Sequence, residues 1–240
     1  MISRKQIFPY NPQKDINSQR VAYFISLVLH PLLLPSILLA VLFYFTSPTV
    51  APVSHSLKLP FLGIIFIMTF VFPMCTAAIW LLSRQIQTPQ PKYQTEDESL
   101  ETYSEVNLHM QNRQDRRWVF VFTSLIYVIA TVLFEIKAQN PFITLVLASV
   151  TLSLLLLTLI TFFWKISAHS VGMSGILGIL LGFNYRLGES ALFYPILIAT
   201  ILVGVVMTAR LYLDAHSPAQ VAAGFFMGFV VNFITVLVLL

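Results

Sequence analysis

Two uninterrupted apolar runs, Ala191 to Ala209 and Val221 to Leu240, carry no formal charge, and a short polar island, Arg210-Leu-Tyr-Leu-Asp-Ala-His-Ser-Pro-Ala-Gln220, separates them. Each run has the length of about 20 apolar residues that an α-helix needs to cross a bilayer. The same pattern fills the rest of the chain. Spans are expected at roughly 21–47, 59–83, 118–136, 140–164, 170–185, 191–210 and 219–240. Only 10% of the 240 residues are charged, against about 25% in an average soluble domain. A transmembrane β-barrel would alternate apolar and polar residues, whereas these runs are apolar on both parities. The expected fold is all-α, a polytopic transmembrane helical bundle of six to seven spans. Residues 1–20 form a polar tail, and 21–240 form one transmembrane domain interrupted by a polar loop at 84–117.

Several classes are set aside by composition. Cys75 is the single cysteine and lies mid-span, so no intrachain disulfide or thiolate metal site is expected. The formal charge of +4 reads as a topology signal, not as a nucleic-acid surface. The N-terminal charges are too dispersed for a cleaved signal peptide. The expected location is the bacterial inner (cytoplasmic) membrane, with the bilayer as partner. His30-Pro31 and Pro35 are expected to kink the first span, and Pro73 the second. His30 itself reads as a packed or interfacial histidine. The acidic patch Glu96, Asp97, Glu98, Glu101 and Glu105 lacks the glycine of a calcium loop and reads as solvated.

Three polar islands stand out: Arg113, Arg116 and Arg117 beside Trp118; Lys165-Ile-Ser167-Ala-His169; and the Arg210–Gln220 stretch. If seven spans alternate, all three fall on the side of the N-terminus. Eleven of the 14 Lys and Arg residues lie on that side, which would make it cytoplasmic. Small residues from Gly172 to Gly182 suit close helix approach, so the fifth span is expected at the centre of the bundle. Ser217, Pro218 and Gln220 match a capping box that opens the last helix. Arginine binds phosphate oxygens bidentately. Two histidines can divide the work of nucleophile and general acid near neutral pH. No carboxylate cluster accompanies them in sequence, so a metal-independent, cofactor-free mechanism is the simpler expectation.

Ser167-Ala-His169 and Arg210-x5-His216 resemble the second and third signature motifs of the type 2 phosphatidic acid phosphatase superfamily, whose pattern is Lys-x6-Arg-Pro, Pro-Ser-Gly-His and Ser-Arg-x5-His-x3-Asp. The resemblance covers roughly residues 110–230. It implies that His216 is a nucleophile forming phosphohistidine and that His169 protonates the leaving alcohol. It also implies that Arg210 and Arg117 hold phosphate oxygens with help from Ser167. The substrates it implies are lipid phosphates or polyprenyl pyrophosphates. The chain departs from the pattern at several positions. Trp118 replaces the proline of the first motif and Met110 its lysine, a contact that Arg113, Arg116 or Lys165 could supply. Ile166 and Ala168 replace Pro and Gly. Ala209 replaces the leading serine of the third motif, and Gln220 its final aspartate. Gln220 can accept a hydrogen bond from the imidazole without stabilising its charged form; Asp214 is the other candidate for that place. A catalytically degenerate lipid-binding or transport protein with the same fold is the alternative. A secondary transporter would show an inverted repeat, which the chain does not display. The substrate, the side the site faces and the oligomeric state stay open.

Overall fold

The computed structural model describes residues 14–48, 51–87, 113–138 and 141–240, and it contains helices and turns with no strand among them. The acidic patch, Met110 and residues 1–13 of the tail lie outside the described residues. Among the described residues five stretches are long and apolar enough to cross a membrane: His55–Ser83, Arg116–Lys137, Pro141–Thr161, Ser190–Tyr212 and Pro218–Leu239. Large apolar side chains such as Phe193, Ile201 and Val238 point outward from them, as a bundle solvated by lipid requires. The protein is an integral membrane protein.

The first expected span is broken outright. α1 (Ile16–Val28) and α2 (Leu34–Phe45) have 13 and 12 residues, and neither alone has the length to span. Pro31 disfavours helical backbone at His30 and has no N–H of its own. The chain therefore turns, with the Leu33 N–H donating to the His30 carbonyl at 2.9 Å, and Pro35 restarts the helix in its first turn. Together the two pieces run from one end of the bundle to the other. Lys14, before α1, meets Asp214 just past α8 (Phe193–Tyr212). Ser47, after α2, donates its hydroxyl to Glu189 just before α8 at 2.6 Å.

The next stretch is α3 (His55–Phe66), a π-helical turn (Ile67–Val71) and α4 (Phe72–Gln87). Pro73 has no N–H to offer the Thr69 carbonyl four residues earlier. Tyr127, buried on α5 (Arg113–Leu133), donates its hydroxyl to that carbonyl at 3.0 Å. The neighbouring helix thus satisfies the backbone group that proline leaves open, as an apolar surrounding demands.

α6 (Pro141–Thr161), α7 (Ala168–Leu187) and α9 (Pro218–Leu239) follow. α7 is the central helix expected from its small residues, and one face lies on α9 at backbone contact. A Cβ on Gly178 would stand 2.5 Å from the Phe229 carbonyl oxygen, and one on Gly228 would stand 2.2 Å from that of Val171. Enclosure by other helices relieves α7 of the need for an apolar surface all round, which is why Ser170 and Ser174 can be buried on it. Asn232 on α9 ties α6 to this pair. Its side-chain oxygen accepts from Ser149 at 2.7 Å, and its amide donates to Ser153 at 2.6 Å and to the Gly228 carbonyl at 2.7 Å.

Candidate active site

The three polar islands meet at one end of the bundle. Arg116 on the first turn of α5, Lys165 in the α6–α7 turn, His169 on the first turn of α7, Arg210 on the last turn of α8 and His216 before α9 line one cavity of about 950 Å³. The cavity continues inward between apolar side chains such as Leu38, Met74, Val150 and Ile176, and reaches Asn232. Tyr23 on α1 and His30 in the turn after it also line it. From the sequence His30 reads as a packed or interfacial histidine, whereas the structure turns it onto the cavity. The one available signal was its place beside a helix-breaking proline within an otherwise apolar run.

His216 has a defined tautomer. The Ser217 N–H donates to Gln220 Oε1 at 3.1 Å, and the Gln220 N–H donates to Ser217 Oγ at 3.4 Å, closing the capping box of α9. A backbone N–H can only donate, so the oxygen of the Gln220 amide is fixed at this end. His216 Nδ1 lies 3.3 Å from the same oxygen and must therefore carry the proton. Nε2 keeps its lone pair. Gln220 is at once a cap and the partner of the imidazole, two roles the sequence could not separate. Burial first, then the charges of Arg210 and Lys165, push the His216 pKa from an ordinary 6.5 down to about 4, with the Gln220 hydrogen bond pulling the other way. The ring is neutral at pH 7, the form a nucleophile needs.

Asp214 does not stand in for the missing aspartate. Its carboxylate binds Lys14 Nζ at 2.7 Å, and Lys14 also donates to the Tyr212 carbonyl at 2.6 Å. Asp214 adopts a left-handed backbone (φ 52°), a conformation that Asp tolerates better than most residues.

The cations are short of counter-ions. Among the described residues no carboxylate pairs with Lys165 or Arg210, and Arg210 Nε is buried without a hydrogen-bond partner. Loss of hydration, then the charges of Arg116 and Arg210, push the Lys165 pKa below its ordinary value. Like charges gathered in a partly dry cavity repel one another, and a bound anion would offset that cost.

Two residues expected to touch phosphate are engaged elsewhere. The Arg117 guanidinium donates to the Phe162 carbonyl at the end of α6 at 2.5 Å and lies over the Phe162 ring. Arg116, one position earlier, is the arginine that lines the cavity. Ser167 is fully buried as the N-cap of α7, where its hydroxyl oxygen accepts from the Ser170 N–H at 3.3 Å and the Ser170 hydroxyl at 2.9 Å. The Ser167 N–H in turn donates to the Gln220 carbonyl at 3.4 Å, which joins the α7 and α9 N-termini. His169 Nε2 donates to the Ser26 carbonyl at 3.0 Å, one of the carbonyls freed by the end of α1. In the neutral ring this leaves Nδ1 as the lone-pair nitrogen.

Among the described residues no group of three or more His, Cys, Asp or Glu side chains is arranged to hold a metal ion. Compared with known protein families, curated proteins and solved structures, the chain matches none.

Proposed function

We propose that the protein is a membrane phosphatase or phosphotransferase acting on a lipid phosphate or polyprenyl pyrophosphate through a phosphohistidine intermediate. The observation that carries this reading is the pairing of a neutral His216, whose Nε2 lone pair is left free by Gln220, with Arg210 and Lys165, which have no carboxylate counter-ion among the described residues. The apolar depth of the same cavity suits a lipid tail, as ligand sites with an apolar lining and a few convergent polar groups do. It agrees with the resemblance to the type 2 phosphatidic acid phosphatase superfamily.

In this reading Arg210, Arg116 and Lys165 bind the phosphate oxygens. His216 Nε2 attacks phosphorus and the ester P–O bond breaks. The substrate phosphate, bound as its monoanion, first hands its proton to His169 Nδ1, and the departing alkoxide takes that proton while Nε2–H stays on the Ser26 carbonyl. Water then attacks the phosphohistidine, and His169 Nδ1 accepts one of its protons and passes it to the released phosphate, which restores both histidines. We read the chain as seven passes, with α1–α2 as one broken pass and α7 as a pass enclosed by protein. A reporter fused at Leu240 on the opposite side of the membrane from the N-terminus is the expected result.

Phosphate release by purified protein tests the function. The panel comprises phosphatidic acid, phosphatidylglycerol phosphate, phosphorylated lipid A and a polyprenyl pyrophosphate. Release that vanishes in His216→Ala is expected. The amide in place of a carboxylate on His216 favours a second reading, a lipid-phosphate-binding protein without turnover. That reading predicts lipid binding with release no higher than in the mutant on every substrate.

A further inference from the structure

We propose that His30 is a third imidazole of the anion site, donating Nε2–H to a phosphate oxygen. The proposal rests on the phosphate-site reading above and adds a residue that none of the three motif segments contains.

The break between α1 and α2 creates this group. Regular helix ends at Val28, before the His30–Pro31 turn, and that turn brings the Leu32 N–H to His30 Nδ1 at 3.3 Å. The N–H donor makes Nδ1 the acceptor, so the neutral ring carries its proton on Nε2. Among the described residues no partner receives that proton. Ring packing holds the imidazole in place. Phe70 meets it edge-on at 6.3 Å between centroids, and His169 meets it edge-on at 5.8 Å. His30 lines the same cavity as Lys165, Arg210 and His216. His169 is further tied to α1 through the Ser26 carbonyl, so the two rings are fixed to one piece of backbone. A bundle short of the first-motif lysine, with Arg117 turned onto Phe162, is left with fewer donors for an anion. His30 Nε2–H adds a neutral donor to the same cavity.

Orthovanadate binding to the full-length protein in detergent, followed by calorimetry, tests the assignment with three variants. His30→Phe keeps a ring against Phe70 and His169 but removes the donor. A hydrogen bond to a charged group sets the size of the effect, so affinity falls about ten- to a hundredfold. His30→Gln keeps an N–H donor and retains most of the affinity. Arg210→Met abolishes binding. Vanadate bound equally by wild type and His30→Phe, yet lost in Arg210→Met, overturns the role of His30 and leaves the anion site standing. Absence of binding in the wild type overturns both. A readout on the wild type alone guards against misfolded variants: in ¹⁵N-histidine spectra, saturating vanadate must shift the His30 Nε2 resonance. An unmoved resonance overturns the proposal.

Discussion

Gln220 Oε1 lies 3.3 Å from His216 Nδ1 while it accepts the Ser217 N–H at 3.1 Å. One amide oxygen therefore closes a helix cap and selects the tautomer of the ring that would attack phosphorus. An amide can do both without bringing a negative charge into the site. Gln220→Glu keeps the length and the capping pattern, since Glu and Gln are interchangeable at that position, and adds the charge that stabilises imidazolium. Turnover should rise by about tenfold or more; the loss of about 10⁴ on exchanging a triad aspartate for its amide marks the ceiling of the comparison. Gln220→Leu should lower it. Steady-state phosphate release by the three proteins checks the order.

The pH dependence follows from the same ring. The folded pKa of His216 is held near 4, below the ordinary 6.5, first by burial and then by Arg210 and Lys165. A depressed histidine pKa means that the native state resists protonation. The contribution of the neutral ring to stability is present above pH 6.5 and is lost as pH falls from there through about 4. Lys165→Met removes one repelling cation, so the His216 titration should move upward toward 6.5 without reaching it, because burial persists. NMR titration of the imidazole reads the midpoint directly.

Asp214 points to Lys14, so it should be dispensable for chemistry. The Lys14–Asp214 pair is partly exposed, and exposed ion pairs contribute about 0–1 kcal/mol. Asp214→Asn is expected to keep turnover within about fivefold of wild type by that magnitude. A loss as deep as that of His216→Ala would place Asp214 in the chemistry instead.

The α7–α9 contact admits no added atoms at its closest points. A methyl on Gly178 would meet the backbone of Phe229, and neither helix can move without opening the pair. Gly178→Ala should cost about 1–3 kcal/mol, the usual range for overpacking. Gly204 on α8 has open space at its Cβ. Gly204→Ala should be neutral or stabilise by up to about 1 kcal/mol through helix propensity. Thermal unfolding in detergent compares the two.

Much of this was legible in the chain. The apolar runs gave the helices, Ser217 and Gln220 gave the start of α9, and the glycines of α7 marked the central helix. The polar islands, expected on one side if seven spans alternate, do meet in one cavity. What sequence could not give was direction. Arg116 and Arg117 are adjacent, and helix rotation alone sends one to the cavity and the other to the Phe162 carbonyl. Ser167 holds a motif position, but its hydroxyl is taken by the N–H and hydroxyl of Ser170 at its own helix start. His30 sits in an apolar run where only the break at Pro31 turns it to the site.

The central claim is that His216 carries the phosphoryl group. The most direct measurement is rapid acid-free quenching of the protein with ³²P-labelled phosphatidic acid, or with whichever lipid of the panel is hydrolysed. Label on the protein that is stable in alkali, labile in acid and absent from His216→Ala is the predicted result. Phosphate release in wild type with no such label at any quench time, or label that persists in His216→Ala, would contradict the account.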